Sequence, residues 1–274
     1  MKKQAFIRFL IFSAIVCLLF SSCATLKTPD VPLPAWTDGF DDRDPRWNTG
    51  DWTFDQNLCR FDREHAAFSN GMLTLTISKA GTNSDRPYRS AEVFTSEEYK
   101  YGVFTARMKP NSPSGVVTSF FLLHIDFDKD WKALEWYEID IEFPGRTDIV
   151  SYALHWMKDG EMRHTGKEVS PGIDLGKDFH DFTIDWTRGS IIFLIDGKES
   201  CRFDDPAVME ELRHPMSLHM NYWVSESKDG SDPSCTRSSR SRQNTIQSPT
   251  PPENRDSTLF GQSTTAFSHV NSIY

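Results

Sequence analysis

The chain has 274 residues, enough for one substantial core, and no pattern in it asks for a second. Aromatic residues make up 13%, with 20 Phe and 8 Trp. That suits a β-sandwich, and also a surface that stacks on the flat apolar faces of sugars. A formal charge of −9, with no basic tract in the sandwich-like region, argues against a nucleic-acid partner and favours a neutral polymer.

Residues 1–22 read as a secretory signal, in which Lys2, Lys3 and Arg8 accompany an apolar run from Phe9 to Phe20. The run is short for a stop-transfer helix. Ser21-Ser22 before Cys23 is similar to the lipobox of bacterial lipoproteins, with Phe20 where Leu is commoner. An ordinary signal with an incidental cysteine is the other reading. The lipobox implies that Cys23 is lipidated, and Ala24-Thr25 carries no Asp of the inner-membrane retention kind. The expected product is a monomeric outer-membrane lipoprotein, on the periplasmic or cell-surface face, touching the membrane through its lipid anchor only. Residues 23–36 are a proline-spaced tether. Cys59, Cys201 and Cys235 lie beyond Cys23. A Cys59–Cys201 bridge stands against the alternative that both pack as small hydrophobes.

From residue 37 the pattern becomes that of strands. Trp52-Thr53-Phe54 reads as a short strand, and Phe61 to Ala67 as a connecting strand or loop. Asn70-Gly71 is a type I′ turn signal that opens the alternating run Met72 to Ile77, with Leu73, Leu75 and Ile77 on one face. Tyr88 to Phe94 is extended. Phe104, Ala106 and Met108 alternate with Val103, Thr105, Arg107 and Lys109 until Pro110 stops the strand. Val116 to Leu123 is almost continuously apolar, as a central sandwich strand would be.

Then comes Trp136-Tyr137-Glu138-Ile139-Asp140-Ile141-Glu142-Phe143. Its period of two puts Trp136, Glu138, Asp140 and Glu142 on one face and the apolar residues on the other. Three carboxylates in a row repel, and push at least one pKa upward. Cleavage of a glycosidic bond with retention wants such a row: one carboxylate as nucleophile, one protonated carboxyl as general acid, about 5–5.5 Å apart. Glu138 and Glu142 have Cα atoms about 13 Å apart on a straight strand. Two glutamate arms leaning inward nearly close that gap, and the shorter Asp140 fits between them. A solvated acidic strand edge is the plainer alternative.

Beyond the carboxylates, Ile149 to Met157 reads as a strand, and residues 161–178 as polar and loop-rich. Phe182–Trp186, Ile191–Ile195 and Glu199–Phe203 read as three short antiparallel strands, Pro206 to Leu212 as one or two helical turns, and Met216–Trp223 as another strand. Ser, Pro and Arg dominate after residue 229. There a disordered tail, 230–274, is expected, with Thr265 to Tyr274 at most a weak edge strand.

The octapeptide resembles the signature of glycoside hydrolase family 16. Tyr101 to Pro110, Ser119-Phe120-Phe121, Phe182 to Trp186 and Ile195-Asp196-Gly197 resemble further segments of that family. The form here, Glu-Ile-Asp-Ile-Glu, has no extra residue before Glu142, and is similar to that of lichenases and xyloglucan endotransglycosylases. The resemblance implies an all-β fold over residues 37–229, a two-sheet antiparallel jelly-roll sandwich with an open concave cleft. It implies Glu138 as nucleophile and Glu142 as acid/base, with a raised pKa, and Asp140 as their hydrogen-bonding neighbour. Trp136, His155, Asn221, Trp223, Arg89 and Glu92 are then expected to line the sugar site, His155 near the acid/base. The polysaccharide partner is expected to be a β-1,3-1,4- or β-1,3-glucan cut internally. Alternatives are a transglycosylase using the same residues, a glycan-binding module and a degenerate member. No metal or organic cofactor is needed for the chemistry. Members often hold one structural calcium through loop carbonyls and an Asp of the final strand, for which no ligands are assigned. That final strand is not recognisable in the sequence.

Overall fold

The computed structural model describes residues 35–130, 132–227 and 263–273. The expected signal, Cys23, most of the tether and Cys235 lie outside the described residues. Within them the chain is all β apart from one short helix and two 3₁₀ turns.

One sheet runs in the order β11-β10-β9-β8-β15-β6. Its strands are β6 (Tyr88–Tyr99), β8 (Val116–Phe127), β9 (Ala133–Pro144), β10 (Val150–Lys158), β11 (Glu161–Val169) and β15 (Met216–Val224). The other runs in the order β5-β16-β7-β12-β13-β14. It is built from β5 (Met72–Lys79), β7 (Gly102–Lys109), β12 (His180–Trp186), β13 (Ile191–Ile195), β14 (Lys198–Phe203) and β16 (Ser263–Ile273). The short strands β1 (Trp36–Asp38), β2 (Trp47–Thr49), β3 (Cys59–Phe61) and β4 (Ala66–Ser69) add to β16, β6, β6 and β5. Only β3 pairs parallel among these strands. The sheets join where Ser78 and Lys79 meet Arg89 and Tyr88, so the sandwich is nearly closed on that side. Helix α1 (Pro206–Glu211) follows β14, capped by the Asp205 carboxylate on the Ala207 N–H.

Alternation explains the core. Ile139, Ile141 and Phe143 of β9 are buried, as are Phe182, Ile184 and Trp186 of β12. Phe143 meets Phe182 edge to face at 5.3 Å, and Tyr152 of β10 meets Phe193 of β13 at 4.6 Å, so the two sheets interlock through aromatic rings. Each such side chain is worth about 1.5–3 kcal/mol of burial. The Asn70-Gly71 turn takes positive φ at both residues (53° and 73°), as a type I′ hairpin requires.

Three local expectations need correction. Trp52-Thr53-Phe54 is not a strand, and its aromatic rings pack on Phe94 and Trp223 instead. Residues 161–169 are not loop but the strand β11, exposed along most of its length at the sheet edge. The tail is not wholly disordered: β16 forms, and it lies inside its sheet, between β5 and β7, with Phe267 and Val270 fully buried. Residues 228–262 lie outside the described residues. Cys59 and Cys201 are both free thiols packed in the core, and burial pushes the Cys59 thiol up to about 11.

Candidate functional site

Strand β9 carries the carboxylates, and two-sided pairing holds it straight. Glu138, Asp140 and Glu142 face Leu123, Phe121 and Ser119 on β8, and His155, Ala153 and Ser151 on β10, without a register shift. The stretch is therefore unbulged, as read from the sequence.

Each carboxylate has its own partners. The Trp136 indole N–H donates to Glu138 Oε2 at 2.8 Å, so the aromatic two residues upstream holds the carboxylate as well as lining its face. The Ser119 hydroxyl donates to Glu142 Oε1 at 3.1 Å. Asp140 is buried, and its Oδ2 lies 3.5 Å from His155 Nε2.

Burial pushes Glu138 up to about 7, with the Glu92 charge adding to it; the Trp136 N–H, the His219 ring and Asp140 pull the other way. Glu138 is thus a carboxyl whose proton is held well above the usual carboxylate range.

A second group backs the first. Glu92 of β6 and Asn221 of β15 are register partners, and the Asn221 side-chain amide donates to Glu92 Oε2 at 3.1 Å. His219 Nδ1 meets Glu92 Oε1 at 3.0 Å, and the ring lies between Phe94 and Phe121. The sequence reading missed His219 and Ser119 as site residues. Both were findable, because His219 shares the alternating face of Asn221 and Trp223, and Ser119 sits opposite Glu142.

The remaining expected residues separate. Trp223 is mostly buried on the same face, edge-on to Phe54 at 5.0 Å. His155 stands opposite Glu138 and beside Asp140, rather than with Glu142. Arg89 does not join the group: it pairs with Asp85 at 3.4 Å, and three residues of strand put it on the other face from Glu92. β16, the last of the described strands, contains no acidic residue.

A raised carboxyl pKa is also a statement about stability. Below the usual value of 4.5, folded and unfolded chains both hold the Glu138 proton. As pH rises from there to about 7 the unfolded chain ionises and the folded chain resists, so stability is lost across that window. Glu138→Gln keeps an acceptor for Trp136 and removes the ionisation. It is expected to be more stable than wild type at neutral pH, by at most about 3 kcal/mol. Thermal melts from about pH 8 to about pH 4 should show that gain shrinking to nothing; a gain equal at both ends would contradict the cause given.

The comparisons with known proteins agree with this arrangement. The glycosyl hydrolases family 16 pattern matches residues 53–241. A β-glucanase of Brevibacillus brevis is 31% identical over 196 residues, covering 70% of this chain and 71% of that protein. One from Acetivibrio thermocellus is also 31% identical, over 198 residues, which is 55% of its own length. A β-1,3-1,4-glucanase (lichenase) structure from a mouse hindgut metagenome superposes with a TM-score of 0.66. At 23% identity, covering 88% of this chain and 99% of that one, it shows the shared fold. The sandwich, the carboxylate-bearing strand and the sequence match agree: this chain belongs to family 16 of the glycosyl hydrolases.

Proposed function

We propose that this chain is an endo-acting β-glucan hydrolase working by double displacement, with Glu138 as nucleophile and Glu142 as general acid/base. The observation that carries the reading is the single strand face on which Glu138, Asp140 and Glu142 each have a separate partner: Trp136, His155 and Ser119. Such a set separates roles, because one carboxyl must be ionised while another holds a proton.

In the first step the Glu138 carboxylate attacks the anomeric carbon, while Glu142 gives its proton to the departing glycosidic oxygen. In the second, Glu142 takes a proton from water, which enters from the face the leaving group vacated, opposite Glu138, and displaces it from the anomeric carbon. Trp136 holds one Glu138 oxygen, which leaves the other to react. Relatives named β-glucanases, and the unbulged Glu138-to-Glu142 spacing, support a β-1,3-1,4-glucan as substrate.

The test is a product screen over lichenan, laminarin, xyloglucan, agarose and carrageenan. Lichenan is expected to fall rapidly in chain length, with proton NMR showing the β-anomer first at the new reducing ends. Cleavage of agarose or carrageenan with β-glucans untouched would refute the substrate, and α-anomers appearing first would refute the mechanism.

A further inference from the structure

We infer a zinc-type divalent cation site, separate from the carboxylate face, formed by His124, Glu135 and His214, with Glu98 holding His124. The three ligand side chains come from β8, β9 and the segment after α1, and they present ligand atoms all within 4.8 Å of one another. Glu135 and Tyr137 alternate with Trp136 and Glu138, so this cluster belongs to the other face of β9, toward its start.

Two distances carry the case. His124 Nε2 and His214 Nδ1 each lie 3.5 Å from the same oxygen, Oε2 of Glu135. That is too long for an N–H···O hydrogen bond, which closes to about 2.7–3.2 Å. It is close to the edge of a tetrahedron of ligands: donors about 2.0–2.1 Å from a zinc ion stand about 3.3–3.4 Å apart. Two imidazole nitrogens and one carboxylate oxygen are a donor set that zinc accepts, with water completing the shell.

The outer partners fit as well. His124 Nδ1 lies 2.7 Å from Glu98 Oε1. With Nδ1 donating to Glu98, Nε2 is the ring nitrogen presented to Glu135, which is the orientation of a metal ligand. A carboxylate behind a ligating histidine is the usual arrangement at such centres. Tyr137 stacks flat on the His214 ring at 4.0 Å, which holds that ring in plane. An ion there would tie the start of β9, three residues before Glu138, to β8 and to the approach to β15.

The test is Co²⁺ titration of the full chain after EDTA treatment, followed by visible absorption. Wild type is expected to bind one equivalent, give the intense d–d bands of a four-coordinate ion, and release it to Zn²⁺. H214Q and E135Q replace part-exposed side chains, and near-UV circular dichroism checks that each variant is folded. Both are expected to lose the bands, and E98Q to bind on the order of 10–100-fold more weakly. The inference fails if folded wild type does not bind. It fails equally if H214Q and E135Q bind like wild type, or if binding is abolished by H155Q and not by H214Q, which would put the ion at Asp140.

Discussion

Alanine at Glu138 is expected to lower glucan turnover by at least about 10²–10⁴-fold, the scale of one lost catalytic role. The loss should come without unfolding, because the substitution removes a carboxyl that burial already penalises. The informative part is the rescue. With the side chain gone, azide can occupy its place and attack from the vacated side, giving a glycosyl azide of inverted configuration from an activated aryl glycoside. If azide restores no product, or the azide has retained configuration, Glu138 is not the nucleophile.

Ending the chain at residue 262 is expected to abolish both folding and activity. This removes β16, which supplies ladder partners to β5 on one side and β7 on the other, and to β1 beyond β5. It also strips Phe267 and Val270 out of the core. F267A alone should be destabilising by about 3–5 kcal/mol. A domain's whole stability is about 5–15 kcal/mol, so losing the strand exceeds what the fold can bear. Denaturant melts of F267A, and activity of the truncated chain, measure both. An active truncated chain with a wild-type melt would show that the sandwich closes without β16.

The reason β16 escaped a reading of the sequence is local. Its buried positions are Thr265 and Phe267, then Val270 and Ser272, so the buried parity changes midway. The register shifts between Phe267 and His269, which is a bulge, and a bulge breaks the alternation by which a strand is recognised. β11 escaped for a different reason: at an exposed sheet edge neither face is buried along most of its length, so nothing selects alternating residues. Trp52 and Phe54 misled in the opposite direction, because alternating aromatics on an irregular segment imitate a strand while packing on Phe94 and Trp223.

What was legible depended on one buried face. β5, β7 and β12 each alternate cleanly, and the three carboxylates were visible because β9 sets them against Ile139, Ile141 and Phe143. Contacts that depend on register were not. Ser119 reaches Glu142 across 23 positions, and His219 reaches Glu92 across 127. The His124, Glu135 and His214 cluster is likewise assembled from separate elements, which no local pattern announces.

Mass spectrometry of a trapped intermediate tests the central claim most directly. E142A keeps the nucleophile but lacks the base for the second step. Given an activated aryl β-glucoside oligomer, it should release the phenol in a burst and accumulate a glycosyl-enzyme. Peptide digestion should then find one sugar adduct, on Glu138 in the segment that also holds Trp136 and Asp140. An adduct on Asp140, Glu92 or any other carboxylate, or steady full turnover with no adduct, would contradict the assignment.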